Sequence, residues 1–396
     1  MFYYYTMSSS LSVTTVIELV DELFRQAIEH NASDVHIEPQ GDRTRIRYRI
    51  DGRLREIRAI PVQISNAVIS RIKIIAEMDI GEKRVPQDGR FQLLHNDRGI
   101  DLRVSTMPTV YGEKLVARIL DRGNMDLFSL LGIGLSQNNL REIKKVLNSA
   151  SGLLLITGPT GSGKTTTLYA AMMEVNQAEK NIITVEDPVE YLINGINQTQ
   201  VNVKAGMTFA ASLRSILRQD PDIIMVGEIR DKETAEVAVR AAVTGHLVLA
   251  TMHTNNAAGA ITRLTDMGVE PYMVASALGV STAQRLVRLN CSQCKQAYSL
   301  EPDSPEHCFL GAGPDEQVTL YMGKGCPACD NQGFRGRVAI HEVLPATAEL
   351  RRLIVNSKLS EEAVNRSGFG VNNLQKDGIR KILAGLTTID EVRRVL

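Results

Sequence analysis

The stretch Gly158-Pro159-Thr160-Gly161-Ser162-Gly163-Lys164-Thr165 follows the apolar run Leu153-Leu154-Leu155-Ile156 and matches the pattern G-x-x-x-x-G-K-[ST] at every required position. Such a loop constrains the backbone before it constrains any side chain. Its glycines let successive N–H groups curl around a phosphate chain, the next helix opens there with its positive dipole end, and Lys164 adds a point charge. Thr165 supplies a hydroxyl for Mg²⁺. A helical run from Thr166 to Glu174 completes the strand–loop–helix context. The nine residues Gly158 to Thr166 are therefore expected to hold a nucleotide, and the chain reads as a nucleotide triphosphatase.

With 396 residues the chain exceeds one ordinary core, so two or three domains are expected. Hydrophobic content of 43% and charge of 23% describe a globular composition, and 45 Lys plus Arg balance 45 Asp plus Glu. No overall field draws such a chain to nucleic acid or to an anionic membrane. No run approaches the ~18 apolar residues of a membrane span, and the start Met1-Phe2-Tyr3-Tyr4-Tyr5-Thr6 lacks the basic and apolar parts of a signal peptide. The expected location is cytoplasmic, with residues 1–12 a disordered leader.

From Thr14 to His30 apolar residues recur at helical spacing (Val16, Ile17, Val20, Leu23, Phe24, Ala27, Ile28), so the first domain opens with an amphipathic helix. Arg45-Ile46-Arg47-Tyr48-Arg49-Ile50 alternates strictly, and Asp51-Gly52 marks a hairpin before Arg53-Leu54-Arg55-Glu56-Ile57. A helix over Val62–Ala76 and strands over Arg90–Leu94, Ile100–Ser105 and Lys114–Leu120 complete an α+β domain at 13–120. Gly123, Gly132 and Gly134 break the pattern and predict a linker at 121–135. Beyond it, apolar strands at Leu153–Thr157, Ile182–Glu186, Ile223–Val226 and Leu247–Thr251 alternate with helices over 136–290, the signature of a buried and mostly parallel sheet. A cysteine-punctuated segment at 291–330 precedes a mainly helical region at 331–396.

Three motifs fall at the ends of those predicted strands, where the loops of open α/β sheets gather ligands. Val185-Glu186-Asp187-Pro188-Val189-Glu190 places three carboxylates where Mg²⁺ and an attacking water need polarising groups. Asp222-Ile223-Ile224-Met225-Val226-Gly227-Glu228 is a hydrophobic strand ending in an acid, as in a Walker B element, but Gly227 stands where many P-loop enzymes keep an Asp. Glu228 is accordingly expected to reach Mg²⁺ through water. His246 and His253 flank the strand Leu247–Thr251 and are expected to act as a phosphate sensor or relay.

Together these motifs resemble the secretion ATPase superfamily, the motors of type II secretion and type IV pilus assembly. The likeness runs from about Val13 to Leu396 and includes Ala32-Ser33-Asp34-Val35-His36-Ile37-Glu38-Pro39, Arg84-Val85-Pro86-Gln87-Asp88-Gly89-Arg90 and Leu213-Arg214-Ser215-Ile216-Leu217-Arg218-Gln219-Asp220-Pro221-Asp222. Within that superfamily the general secretion pathway protein E group is the nearest, followed by the pilus-extension ATPases. The resemblance implies a RecA-like P-loop core, a small PAS-like α+β domain before it, and a zinc module and helical region after it. It implies ATP hydrolysis with Glu190 as the catalytic glutamate, Glu228 as the Walker B acid, and His246 and His253 as histidine-box residues. Arg103, Arg118, Arg214, Arg218 and Arg230 match functional arginine positions of the family, and charge growing on a γ-phosphate is what a neighbouring subunit's arginine would neutralise. A homohexamer is implied, held at the bacterial inner membrane through a membrane-anchored protein of the GspL type and a polytopic platform protein of the GspF type. Members of the group usually carry a further amino-terminal docking domain, whereas this chain begins almost at the helix before Ala32-Ser33-Asp34.

Cys291-Ser292-Gln293-Cys294 and Cys326-Pro327-Ala328-Cys329 form two C-x-x-C pairs, a spacing that presents four thiolates to one tetrahedral Zn²⁺. No open position remains once four thiolates bind, so the site is expected to be structural. Cys308 is left as a free thiol. The arginines at 43, 45, 47, 49, 53, 55 and 58 raise a nucleic-acid translocase as the alternative of a different class. Interrupting acids and the lack of aromatic platforms favour outward strand charges instead.

Overall fold

The computed structural model describes residues 13–121, 128–302, 304–313, 316–356, 363 and 373–396. The chain divides into two compact units, Met1–Met125 and Asp126–Leu396. The expected leader and residues 122–127 of the expected linker lie outside the described residues.

In the first unit α1 (Val13–Glu29) buries Val16, Val20, Leu23, Phe24 and Ala27, the stripe its spacing predicts. It is followed by β1 (Asp34–Pro39), β2 (Arg43–Ile50), β3 (Arg53–Pro61), α2 (Val62–Ile75), β4 (Gln87–His95), β5 (Arg98–Thr109) and β6 (Gly112–Asp121). The strands form one antiparallel sheet in the order β3-β2-β1-β6-β5-β4, with Val35, Ile37, Ile46 and Tyr48 in the same core as both helices. The segment Ala32–Pro39, quoted above only as a motif, thus supplies the strand β1 that pairs with both β2 and β6.

Asp34, His36 and Glu38 alternate with Val35 and Ile37 along β1, and all three polar side chains are buried. Burial is tolerated because cations close over the carboxylates. Asp34 takes Arg49 Nε and Arg118 Nε at 3.2 Å each, while Glu38 takes Arg47 at 2.8 Å, Arg45 at 3.1 Å and Lys114 at 3.2 Å. Burial alone would raise the Glu38 pKa, yet the hydrogen bonds from Arg47 and Lys114 outweigh it and hold it at about 2. The arginines of β2 are therefore spent on the sheet's own acids. A second buried pair, Lys73–Glu113 at 2.5 Å, joins α2 to β6, and Lys73 also donates to the Glu82 carbonyl at 2.7 Å.

The second unit runs α3 (Gln137–Leu147), β7 (Gly152–Thr157), α4 (Lys164–Val175), β8 (Ile182–Glu186), β9 (Asn197–Gln200), α5 (Phe209–Ile216), β10 (Ile223–Val226), α6 (Lys232–Val243), β11 (Leu247–Met252), α7 (Ala257–Asp266), α8 (Pro271–Ala277) and β12 (Leu278–Asn290). It continues with β13 (Lys295–Ser299), α9 (Pro305–Leu310), β14 (Thr319–Gly323), β15 (Phe334–Pro345), α10 (Ala348–Val355), α11 (Leu374–Leu383) and α12 (Ile389–Arg393). Seven strands form a sheet ordered β15-β12-β7-β11-β10-β8-β9, parallel throughout except for the antiparallel β12–β15 pair. Buried aliphatic residues occupy both of its faces, the α/β arrangement that continuous apolar strands require. β13 and β14 pair in a separate small sheet.

Two long strands depart from the sequence expectation. β12 runs 13 residues and β15 runs 12, the latter opening the stretch read as mainly helical. Polar residues at the centre of β12, Ser281, Thr282, Gln284 and Arg285, mask its strand pattern, and all are buried. Beyond β15, helices α11 and α12 are fastened back onto β12. Buried Glu391 of α12 accepts from the Arg288 side chain at 2.8 Å, from the Arg288 N–H at 3.1 Å and from Arg394 at 2.7 Å. Arg288 also lies 4.0 Å over the ring of Phe334.

Burial disfavours the charged form of Glu391, but hydrogen bonds from Arg288 and Arg394 prevail and bring its pKa from 4.5 down to about 2. A depressed carboxylate pKa contributes stability that is present above its unfolded value and lost as pH falls through its folded one. The expected outcome is a urea midpoint that drops between pH 4.5 and about 2. Glu391→Gln should lower stability at neutral pH by about 2 kcal/mol and flatten that acid dependence relative to wild type, as read by urea titrations at several pH values.

Candidate active site and metal centre

β7 ends at Thr157 and α4 begins at Lys164, so the phosphate-loop sequence spans the carboxyl end of an interior strand of the sheet. Gly158 has φ 150°, and a Cβ there would lie 2.5 Å from the Gln284 carbonyl oxygen. Gly163 caps α4 in the left-handed region at φ 86°. These positions need glycine for both conformation and space. Lys164 is buried and donates to the carbonyls of Gly158 at 2.8 Å and Pro159 at 3.0 Å. Burial lowers its pKa to about 8, with Glu228 opposing the fall and Arg285 adding to it. Pro159, Thr160, Gly161 and Thr165 are exposed at the loop surface, Thr166 is half-buried, and Ser162 is buried.

Glu228 follows β10 and His253 follows β11, so parallel pairing brings both to the same edge as the loop. Arg230 forms an ion pair with Glu228, and His253 Nε2 lies 3.4 Å from the other Glu228 oxygen. Burial and the nearby Lys164 charge lower the His253 pKa. The glycine before Glu228 has a steric cause. A Cβ at Gly227 would lie 3.2 Å from the Val185 carbonyl oxygen and 3.3 Å from Glu186 Cα.

The three carboxylates of Val185–Glu190 do not act as one cluster. Glu186, 3% exposed, turns into the protein and accepts from the hydroxyls of Tyr169 and Thr184 and from Gln198 Nε2, the last two at 2.6 and 3.0 Å. With three hydrogen bonds accepted inside the protein, Glu186 serves as an internal acceptor rather than as the metal or water ligand its motif suggested. Asp187 is exposed, and half-buried Glu190 donates its backbone N–H to the Tyr169 hydroxyl at 3.4 Å.

His246 is not brought to this edge. It precedes β11 whereas His253 follows it, and six strand residues at about 3.3 Å each separate the two by about 20 Å. His246 instead bonds the Ala241 carbonyl at the end of α6, and its own carbonyl accepts from Gly152 at the start of β7. Of the two histidines expected to act as a phosphate sensor or relay, only His253 therefore lies at the phosphate-loop end of the sheet. Arg214 pairs with Glu233 at 2.6 Å, and Arg218 donates to the Arg214 carbonyl and to Ser215 Oγ, so both are engaged around α5. Arg103 and Arg118 belong to the first unit, where they are register partners on β5 and β6. There they line a cavity of about 600 Å³ with Asp34, Asp88 and Arg90.

Gln284, Arg285 and Thr254 were not singled out from sequence. Thr167 Oγ1 donates to Gln284 Oε1 at 2.7 Å, and Gln284 Nε2 donates to the Ser162 carbonyl at 2.8 Å, which clamps the loop to β12. Arg285 donates to the Asn255 carbonyl at 2.7 Å, and the Thr254 N–H donates to Thr157 Oγ1 at 2.8 Å. The available signal was the consecutive Gln-Arg pair inside a strand otherwise bounded by apolar residues.

The four cysteines converge, with all sulfurs within 4.8 Å of one another and three separations of 3.8 Å. Ligands about 2.3 Å from a tetrahedral ion lie about 3.8 Å apart, so the sulfurs fit such a metal. Backbone N–H groups of Cys326 and Gly333 point at Cys329 Sγ from 3.3 and 3.2 Å. Burial works against the Cys329 thiolate, but these N–H groups bring its pKa down to about 6. Cys308 is exposed and lies outside the cluster.

Comparison with known proteins places this geometry in a family. The description "Type II/IV secretion system protein" matches residues 10–394. The type II secretion system ATPase E of Vibrio cholerae is 47% identical over 381 residues, which cover 96% of this chain and 75% of that protein. The type IV pilus assembly ATPase PilB of Myxococcus xanthus is 44% identical over 395 residues, covering 98% and 69%. Among solved structures, the pilus retraction motor PilT with bound ADP superposes with a TM-score of 0.64 at 26% identity, covering 95% of this chain and 96% of that one. With its fold, loop and length so matched, the chain belongs to the Type II/IV secretion system protein family.

Proposed function

We propose that the protein is a cytoplasmic ATPase that hydrolyses ATP to drive pseudopilus assembly and protein export by type II secretion. The observation that carries this reading is the meeting of Lys164, Glu228, Arg230 and His253 at one sheet edge, in a chain similar throughout to a type II secretion ATPase. In this reading residues 158–166 hold the phosphates, Thr165 gives its hydroxyl to Mg²⁺, and Glu228 orients a water of that ion. Bound there, Mg²⁺ would supply positive charge to neutralise the phosphate oxygens. Glu190 accepts a proton from the attacking water, and His253, neutral at working pH, donates or accepts a hydrogen bond near the γ-phosphate.

Arg103, Arg118, Arg214 and Arg218 are assigned to stabilising charge on a nucleotide held by a neighbouring subunit of a homohexamer. The 44% identity to PilB sustains pilus extension as the second reading. The nucleic-acid translocase loses support because the β2 arginines at 45, 47 and 49 are paired with Glu38 and Asp34. Zn²⁺ is assigned to Cys291, Cys294, Cys326 and Cys329 as a structural ion. Among the described residues no helix is long and apolar enough to cross a membrane. Attachment at the inner membrane is assigned to the GspL-type and GspF-type partners.

Phosphate release tests the assignment. Lys164→Ala is expected to abolish it, and Glu190→Gln to lower kcat by about 10²-fold or more while nucleotide still binds. Arg103→Ala should cripple turnover without unfolding the chain. Full turnover by Lys164→Ala would sink the site. For the metal, elemental analysis should find one zinc per chain, and Cys294→Ser with Cys326→Ser should remove it and lower Tm, since metal binding energy is folding energy.

A further inference from the structure

Beneath the Glu190 loop lies a cluster whose chemistry the proposed mechanism does not use. Tyr169 belongs to α4, the helix that begins with Lys164 and Thr165, and its side chain is fully buried. Its single hydroxyl proton goes to Glu186, which leaves the oxygen to accept the Glu190 N–H at 3.4 Å. Burial and the Glu186 charge keep that phenol protonated by raising its pKa. Gln198 Nε2 ties the same region from the other side, donating to Glu186 at 3.0 Å and to the carbonyl of Tyr191 at 2.8 Å. Glu190 thus sits in a loop whose backbone is tethered at Glu190 by a hydroxyl and at Tyr191 by an amide.

Three rings close the cluster. Tyr191 meets Tyr169 edge-on at 5.8 Å, and Phe128 meets Tyr169 at 5.4 Å and Tyr191 at 5.0 Å. Phe128 is 7% exposed and lies at the amino-terminal end of the second unit, so that end of the unit is anchored in this cluster. A site needing only apolar volume would be filled by Phe at 169. The buried hydroxyl, aimed at two groups flanking the loop, carries a positional function.

We infer that Tyr169 is a positioning residue for Glu190, and that the Phe128 ring holds it in place, so that the amino-terminal end of the second unit and the phosphate-loop helix both act on the catalytic loop. This inference rests on Glu190 as the catalytic carboxylate. The effect is of hydrogen-bond size, and it falls on turnover rather than on nucleotide binding.

The test is steady-state phosphate release by the full chain, with ATP affinity measured separately and folding checked by circular dichroism. Tyr169→Phe should lower kcat about 3- to 10-fold with KM for ATP held within about twofold. In a Glu190→Gln background the same substitution should change the residual rate by less than about twofold, because the residue acts through Glu190. Phe128→Leu should lower kcat about 2- to 5-fold in the same pattern. Wild-type turnover by Tyr169→Phe, an equal loss in both backgrounds, or a rise in KM alone overturns the inference. Should Tyr169→Phe fail to fold, an unchanged kcat in Phe128→Leu overturns it by itself. Full activity of Glu190→Gln would instead bring down the catalytic assignment, and the inference with it.

Discussion

One amide on β12 holds the phosphate loop in shape. Gln284 accepts from Thr167 on α4 and donates to the Ser162 carbonyl of the loop, and its own backbone oxygen lies where any Cβ at Gly158 would go. The loop is therefore fixed on its open side by a neighbouring strand rather than by its own residues alone. Because β12 also pairs with β15 over most of its length, the loop's geometry depends on chain that arrives more than a hundred residues later. A Gly-rich loop has high conformational freedom, and such a clamp offsets the entropy of ordering it.

Buried charge is organised by the same economy in both units. Asp34 and Glu38 sit in the middle of the first sheet and gather Arg45, Arg47, Arg49, Lys114 and Arg118, while Glu391 gathers Arg288 and Arg394 at the end of the second. Each acid is buried with several donors, the condition under which a charge can leave water. One consequence is functional. Arg118, which matches a family position, is oriented by Asp34 at 3.2 Å, so the β1 motif sets the geometry of an arginine assigned to act in trans.

The site itself is a product of parallel pairing. Glu228 and His253 are 25 residues apart in sequence, yet each leaves its strand at the same edge, and a charged Lys164 lies within electrostatic reach of both. The carboxylates after β8 divide their work by burial. Glu186 is sealed in as an acceptor, whereas Glu190 remains half-buried at the loop surface with its backbone tethered by Tyr169.

The phosphate loop, the helical stripe of α1, the strictly alternating β2 and the two C-x-x-C pairs were legible from the chain alone, because each is a local pattern with a local physical cause. Glycine spacing, periodicity and thiol spacing are properties of consecutive residues. Strand β1 was hidden since its acids are buried by cations from other strands, and β12 since its polar centre is buried against distant partners, Gln284 on the phosphate loop, Ser281 on the Ala257 carbonyl and Arg285 on the Asn255 carbonyl. The separation of His246 from His253 and the retirement of Glu186 into the interior were likewise tertiary decisions. Sequence determined which residues make up the phosphate-loop pattern and the two thiol pairs. Only the tertiary structure decided which of them meet, because strand direction and burial depend on partners distant in the chain.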